Sequence, residues 1–113
     1  MNVTTDRTNG ISVVHVNEAR LTYLQLSAFA TAVIALIGAG ERRVLVDLSN
    51  VTAVDSATVG CLMDLSRQTT EAGGLLKLSG VQKRVEKMLT MTGAQAVLDV
   101  HPDASSALRS FGS

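Results

Sequence analysis

Aromatic residues are scarce in this chain: they make up 3% of it, and tryptophan is absent. Hydrophobic residues nevertheless reach 46%. The core therefore has to be built from Val, Leu, Ile, Ala and Met, a mixture suited to helices packed on a sheet. A single cysteine, Cys61, excludes an internal disulfide and fits a reducing compartment. It falls beside an apolar helical pattern and is expected to be a buried, inert thiol. No charge of one sign dominates: ten Lys and Arg offset ten Asp and Glu, so the net charge is zero. Without a global field there is no means of concentrating nucleic acid or anionic membrane, and a nucleic-acid partner is not expected. The basic groups Arg42-Arg43, Lys83-Arg84 and Lys87 read as solvated helix ends and faces.

Long hydrophobic runs are missing too. The longest apolar stretch, Phe29 to Gly38, falls well short of the roughly 20 residues that span a bilayer. The opening MNVTTDRTNG lacks the pattern of a signal peptide. A soluble, cytoplasmic protein without direct membrane insertion is expected. His15, His101 and Cys61 do not have the spacing of a zinc set. Gly38, Gly40, Gly73 and Gly74 form neither dinucleotide nor phosphate-loop motifs. No metal, no cofactor and no enzyme activity are expected, and the glycines read as helix stops.

What is present is a strand and helix alternation. At 113 residues the chain is expected to form one domain over residues 1–113, large enough to fold without disulfide or metal. Val3 to Asp6 and Ile11 to Val16 read as strands of a hairpin turning at Thr8-Asn9-Gly10. Leu26, Phe29, Val33, Leu36 and Ile37 fall at helical spacing. Arg43 to Leu48 reads as a strand buried on both faces. A helix over about 56–71 follows, with Val59, Leu62, Met63 and Ser66 spaced as its apolar side. Leu75 to Leu78 reads as a strand, and Val81, Val85, Met88 and Leu89 as a helix. Ala96 to Val100 reads as a last strand. After Pro102, a residue that suits the start of a helix, Asp103 to Ser110 reads as a terminal helix carrying Ala104, Leu108 and Phe111. The fold class is α/β: a single mixed sheet, its opening strands antiparallel and its later ones parallel, packed with about four helices.

Asp55-Ser56 lies where the helix over 56–71 begins. The first amides of a helix lack intrahelical acceptors, and the macrodipole is positive there. A phosphate on Ser56 would find donors waiting. Asp and Ser are also ordinary N-cap residues, stabilising a helix by about 1 kcal/mol with no further role. Either can be the cap, which makes Thr58 the third or second residue of the helix. The carboxylates Asp47, Asp55 and Asp64 form a second candidate. Asp47 and Asp55 follow apolar strand residues and can converge at the carboxyl edge of a parallel sheet as an acid and base pair. Caps and turn residues explain them more simply.

Three ordered blocks carry a resemblance. The first is Val46-Asp47-Leu48-Ser49, Val51 to Val54, Asp55-Ser56 and Gly60. The second is the Gly73-Gly74 turn with the strand LLKLSGV and the helix through Val85, Leu89 and Thr92-Gly93. The third is Val97-Leu98-Asp99-Val100-His101-Pro102, followed by Ala107-Leu108. Together they resemble the STAS domain family, and within it the small bacterial anti-sigma factor antagonists. The resemblance implies a STAS fold and a phosphorylatable, non-enzymatic binding module. Unphosphorylated, such a module binds an anti-sigma factor with serine kinase activity and frees the sigma factor. Phosphorylation releases the kinase, and a PP2C-type phosphatase resets the switch. The implied phosphorylation site is Ser56, with Thr58 a lower-ranked alternative. The implied partner surface comprises Asp55, Ser56, Ala57, Thr58, Asp64, Arg67 and Gln68. ATP and magnesium belong to the kinase, and a monomer or weak dimer is expected.

Two departures from the family pattern stand out. The first loop glycine is replaced by Thr58, which predicts a stiffer loop less able to take positive φ. Upstream, Glu18-Ala19-Arg20-Leu21-Thr22 lacks the usual glycine and final acid. Those losses leave room for a structural STAS subunit of a stressosome-like or transporter-associated complex. A small enzyme or nucleotide-binding domain using Asp47 and Asp55 is the remaining alternative.

Overall fold

The computed structural model describes residues 2–112. Two strands, β1 (Val3–Thr8) and β2 (Ile11–Val16), form an antiparallel hairpin. Its turn places Asn9 at φ 52° and Gly10 at φ 78°, the mirror-image turn geometry that Asn-Gly is suited to. After a two-residue strand β3 (Arg20–Leu21) and a 3₁₀ turn (Tyr23–Gln25) comes helix α1 (Leu26–Gly38). Strands β4 (Arg43–Asp47) and β5 (Ala53–Val54) lead into helix α2 (Ser56–Glu71). Strand β6 (Leu75–Ser79), helix α3 (Lys83–Thr92), strand β7 (Asp99–His101) and helix α4 (Ala104–Ser110) complete the chain.

The main sheet has the order β1-β2-β4-β6-β7, antiparallel at β1-β2 and parallel from β2 onward. This is the mixed α/β architecture expected from the strand and helix alternation. Side chains of a strand alternate between faces, and β4 shows the consequence. Val44 and Val46 join the larger core with Phe29 and Val33 of α1, Leu62 and Leu65 of α2, and Val85 and Leu89 of α3. Leu45, between them, points to the opposite face and packs with Ile11, Val13, Ala107 and Phe111. Both faces of β4 are therefore covered, α4 alone closing the second. Lys77 of β6 is buried beneath α4. Its ammonium pairs with Asp99 at 3.0 Å, donates to the Ser110 carbonyl at 3.1 Å and lies 4.9 Å from the Phe111 ring centre. Those partners replace the hydration that burial removes.

Four local expectations change. The last strand is Asp99–His101, because Gly93 at φ 77° ends α3 and residues Ala94–Ala96 turn as a 3₁₀ helix first. The terminal helix begins at Ala104, because Asp103 is its N-cap and not its first residue. The buried stripe of α2 is Thr58, Val59, Leu62, Leu65 and Thr69; Ser66 stands at its margin. Cys61 is half-buried, not enclosed, and burial followed by the nearby Asp64 charge raises its thiol pKa. A feature with no counterpart in the sequence reading is a second, two-stranded parallel ladder, Arg20 opposite Ala53 and Leu21 opposite Val54.

Candidate functional site

The short β3·β5 ladder builds the site. It brings the segment before α1 alongside the loop before α2, although some thirty residues separate them. Asp55, extended at φ −115° and ψ 177°, is the N-cap of α2. Its Oδ1 accepts from the Thr58 amide at 2.9 Å, and its Oδ2 accepts from the Tyr23 amide at 3.0 Å. Thr58 is thus the third residue of the helix. Its Oγ1 lies 2.7 Å from both the Leu21 carbonyl and Asp55 Oδ1; with one proton, it donates to one of them at a time. Hydrogen bonding from the Thr58 hydroxyl, and then from the Thr58 and Tyr23 amides, holds the Asp55 carboxyl below its ordinary pKa.

Thr58 is therefore not the open acceptor that a second hydroxyl near Ser56 suggested. It is fully buried and engaged, so it is neither accessible to an enzyme nor part of a partner-facing surface. The reduced access to positive φ expected from losing the loop glycine has no consequence here. Residues 55 to 58 contain no positive φ, so a β-branched residue fits the first helical turn. Ser56 and Ala57, by contrast, are exposed. The Thr58 amide is taken by the Asp55 carboxylate and the Val59 amide by the Asp55 carbonyl. Of the initial amides, those of Ser56 and Ala57 remain to receive an anion.

Ser56, Gly60, Asp64, Arg67 and Glu71 follow helical spacing along the outer side of α2 and are all exposed. Arg67 pairs with Asp64 and, at 2.9 Å, with Glu71; Gln68 donates to Asp64 at 2.7 Å. The hydrogen bond from Arg67, followed by that from Gln68, lowers the Asp64 pKa. Upstream, Gln25 Oε1 accepts from the Thr22 amide at 2.9 Å and its hydroxyl at 2.8 Å, ordering the turn where the family's acid is missing. Tyr23 and Leu24 then stand 68% and 74% exposed beside Asp55. Sequence reasoning missed both. Their signal was two adjacent apolar residues ahead of the helical pattern, whose place beside Asp55 depends on a ladder too short to read.

The carboxylates Asp47 and Asp55 do not pair. The β2·β4 register sets Asp47 opposite His15, whose Nδ1 lies 2.8 Å from Asp47 Oδ2 and whose Nε2 lies 2.9 Å from Asp6. The Ser49 amide occupies Asp47 Oδ1 at 2.9 Å. Burial acts to lower the His15 pKa, but hydrogen bonds and charge from Asp47 and Asp6 outweigh it and raise the value. Burial acts to raise Asp47, and the Ser49 hydrogen bonds and His15 overcome it. A Ser110, His101 and Asp99 cluster resembles a hydrolytic triad only in composition. His101 presents the same nitrogen to Ser110 at 3.2 Å and to Asp99 at 2.9 Å, whereas a triad uses opposite nitrogens. Among the described residues no three His, Cys, Asp or Glu side chains group as a metal site. None of their helices is long and apolar enough to cross a membrane.

A mixed sheet with this strand order and a capped serine helix start can be compared directly with known proteins. A family model described as the STAS domain matches residues 2–107. The chain belongs to the STAS domain family. A protein of Thermotoga neapolitana, named as a candidate anti-sigma factor antagonist homolog, is 28% identical over 69 residues, 61% of this chain and 61% of its own length. This STAS domain thus aligns with less than two thirds of that curated relative. Among solved structures, an anti-sigma-factor antagonist (STAS) domain protein of Planctomyces limnophilus has a TM-score of 0.88 at 20% identity, covering 98% of each chain. The phosphorylated form of the Bacillus cell fate determinant SpoIIAA has a TM-score of 0.72 at 13% identity, covering 97% of this chain and 99% of its own. The murine anion transporter Slc26a9 has a TM-score of 0.77 at 21% identity, covering 91% of this chain and 18% of the transporter. At these identities the solved structures establish the shared STAS fold.

Proposed function

We propose that this STAS domain is a non-enzymatic, cytoplasmic partner-switching module, an anti-sigma factor antagonist whose unphosphorylated form binds an anti-sigma factor serine kinase. Ser56 is the phosphate acceptor, and a PP2C-type phosphatase restores the hydroxyl. The observation that carries this reading is the exposure of Ser56 at the first position of α2, beside an Asp55 carboxylate already committed to Thr58 and Tyr23. Phosphate adds about −1.5 to −2 charge. The outer helix amides can receive it without breaking the buried Thr58 contacts, so the fold is retained. A partner fitted to a neutral hydroxyl beside Asp55 is repelled by the added charge. Ser56 and Ala57 form the centre of the partner surface, Asp55 shapes it, and Asp64, Arg67 and Gln68 rim it. Tyr23 and Leu24 add the apolar contact that interface centres favour.

The test is incubation with an anti-sigma factor serine kinase and magnesium ATP, followed by intact-mass analysis and site mapping. One phosphate on Ser56, lost in Ser56→Ala, is expected. Phosphate on another residue, or Ser56→Asp retaining wild-type affinity for the kinase, overturns the reading. The match to part of Slc26a9 favours a second reading, a structural STAS subunit of a transporter-associated or stressosome-like complex. A stable large assembly at micromolar concentration supports that alternative.

A further inference from the structure

Residues 21 to 40 contain no Asp, Glu, Lys, Arg or His. The inner side of α1 explains part of this, since Phe29 and Val33 are buried and Leu26, Leu36 and Ile37 pack against the same core. The outer side is not explained by folding. Ser27, Ala28, Thr31, Ile34, Ala35 and Gly38 are all exposed, and their spacing places them on one face of α1 about 120° wide, with exposed Leu24 in the 3₁₀ turn just ahead of it. Leu24 is 74% and Ile34 46% exposed. The neighbouring helices differ: α2 exposes Asp64, Arg67 and Glu71, and α3 exposes Lys83, Arg84, Glu86 and Lys87.

We infer that this face of α1 is a self-association surface, occupied by α1 of a second copy running antiparallel about a two-fold axis through Thr31. The residue order is self-complementary about that point. Leu24 falls opposite Gly38 of the other copy, Ile34 opposite Ala28, and Ser27 opposite Ala35, so each large side chain meets a small one. Gly38 has open space around it. The small residues between the large ones let the helices approach to the lower end of the usual 8–10 Å spacing. An uncharged face has no pattern of charge with which to select a different protein, and the chain's zero net charge does not oppose self-association. The face is roughly 20 Å long and 10 Å wide. That footprint is well short of the about 800 Å² per partner of a standard stable interface. The dimer is consequently weak and concentration-dependent; it shares Leu24 with the surface proposed for the kinase, while Ile34 and Thr31 lie along α1 beyond the Tyr23 and Asp55 contact.

Sedimentation velocity of the full chain from low micromolar to near-millimolar concentration should show a shift from monomer to dimer. Ile34→Lys should abolish the shift, while Met91→Lys should leave it intact, although Met91 is 72% exposed and more open than Ile34. Unchanged melting of Ile34→Lys establishes that the fold is retained. Cysteine pairing tests the geometry in a Cys61→Ser background. Under mild oxidation Thr31→Cys should cross-link to itself, and Leu24→Cys should cross-link with Gly38→Cys but not with Leu24→Cys. A monomer at all concentrations, or a dimer that survives Ile34→Lys, overturns the inference. So does Leu24→Cys pairing with itself, which marks a parallel arrangement, or a monomer that instead binds lipid vesicles through α1.

Discussion

Helices α2 and α4 start with the same chemistry and end up with different roles. Each is capped by an aspartate in extended conformation that accepts from the amide three residues on: Asp55 from Thr58 at 2.9 Å, Asp103 from Ser106 at 2.7 Å. In both, the hydrogen bonds to the carboxylate hold its pKa below the ordinary range. At α4 the cap ends there. At α2 the second carboxylate oxygen reaches the Tyr23 amide, and the Thr58 hydroxyl is buried against the Leu21 carbonyl. A cap by itself does not make a site. The α2 start becomes one because a distant segment is tied to it, leaving Ser56 exposed on a rigid, doubly anchored turn.

The most forceful way to break the comparison is charge at the first helical position. Ser56→Asp should reduce affinity for the kinase at least tenfold with little change in melting temperature. Ala104→Asp, at the equivalent position of α4, should leave affinity unchanged; titration calorimetry of both variants checks this. Next in size is Thr58→Val, which removes the one buried hydroxyl shared by the Leu21 carbonyl and Asp55 and should destabilise the domain by about 1–3 kcal/mol in denaturant titration. Asp55→Ala should cost about 1–2 kcal/mol through the lost cap, and more than Asp103→Ala, whose carboxylate holds one end only.

The pH dependence sharpens the same contrast. A carboxylate held below its ordinary value of 3.8 contributes stability that is present above that value and lost as pH falls through the lowered one. The stability gap between wild type and Asp55→Ala should therefore close on acidification below about 4. The His15 and Asp47 pair behaves differently. With the His15 pKa raised, its contribution is complete below the ordinary 6.5 and is lost as pH rises through the higher folded value. With Asp47 lowered, that contribution also fades at strongly acid pH. Melting curves of His15→Gln should thus converge on wild type at alkaline pH. This is the smallest of the expected effects.

Much of the fold was legible from local pattern. The Asn9-Gly10 turn, the continuous apolar run of β4 and the bounds of α2 follow from turn geometry, burial on two faces and helical spacing. Legibility failed where the signal is short or contextual. Ala96 to Val100 is apolar enough for a strand, but the left-handed Gly93 diverts it into a 3₁₀ turn first. The β3·β5 ladder is two residues on each side, too brief for any periodicity. The site was half legible: Asp55-Ser56 could be placed at a helix start, but neither the choice of cap nor the exposure of each hydroxyl could be read.

Local sequence pattern by itself specified the longer elements, the two-faced burial of β4 and the position of Asp55-Ser56 at the head of α2, because those depend on neighbours within a turn or a strand. Tertiary structure alone decided that Asp55 is the cap, that Thr58 is sealed inside and Ser56 left outside, and that Tyr23 and Leu24 stand beside them. The cap bond itself is local, from the Thr58 amide to Asp55, but what surrounds it rests on the Tyr23 to Asp55 and Thr58 to Leu21 hydrogen bonds, between residues more than thirty positions apart, and only the closed fold brings such partners within reach.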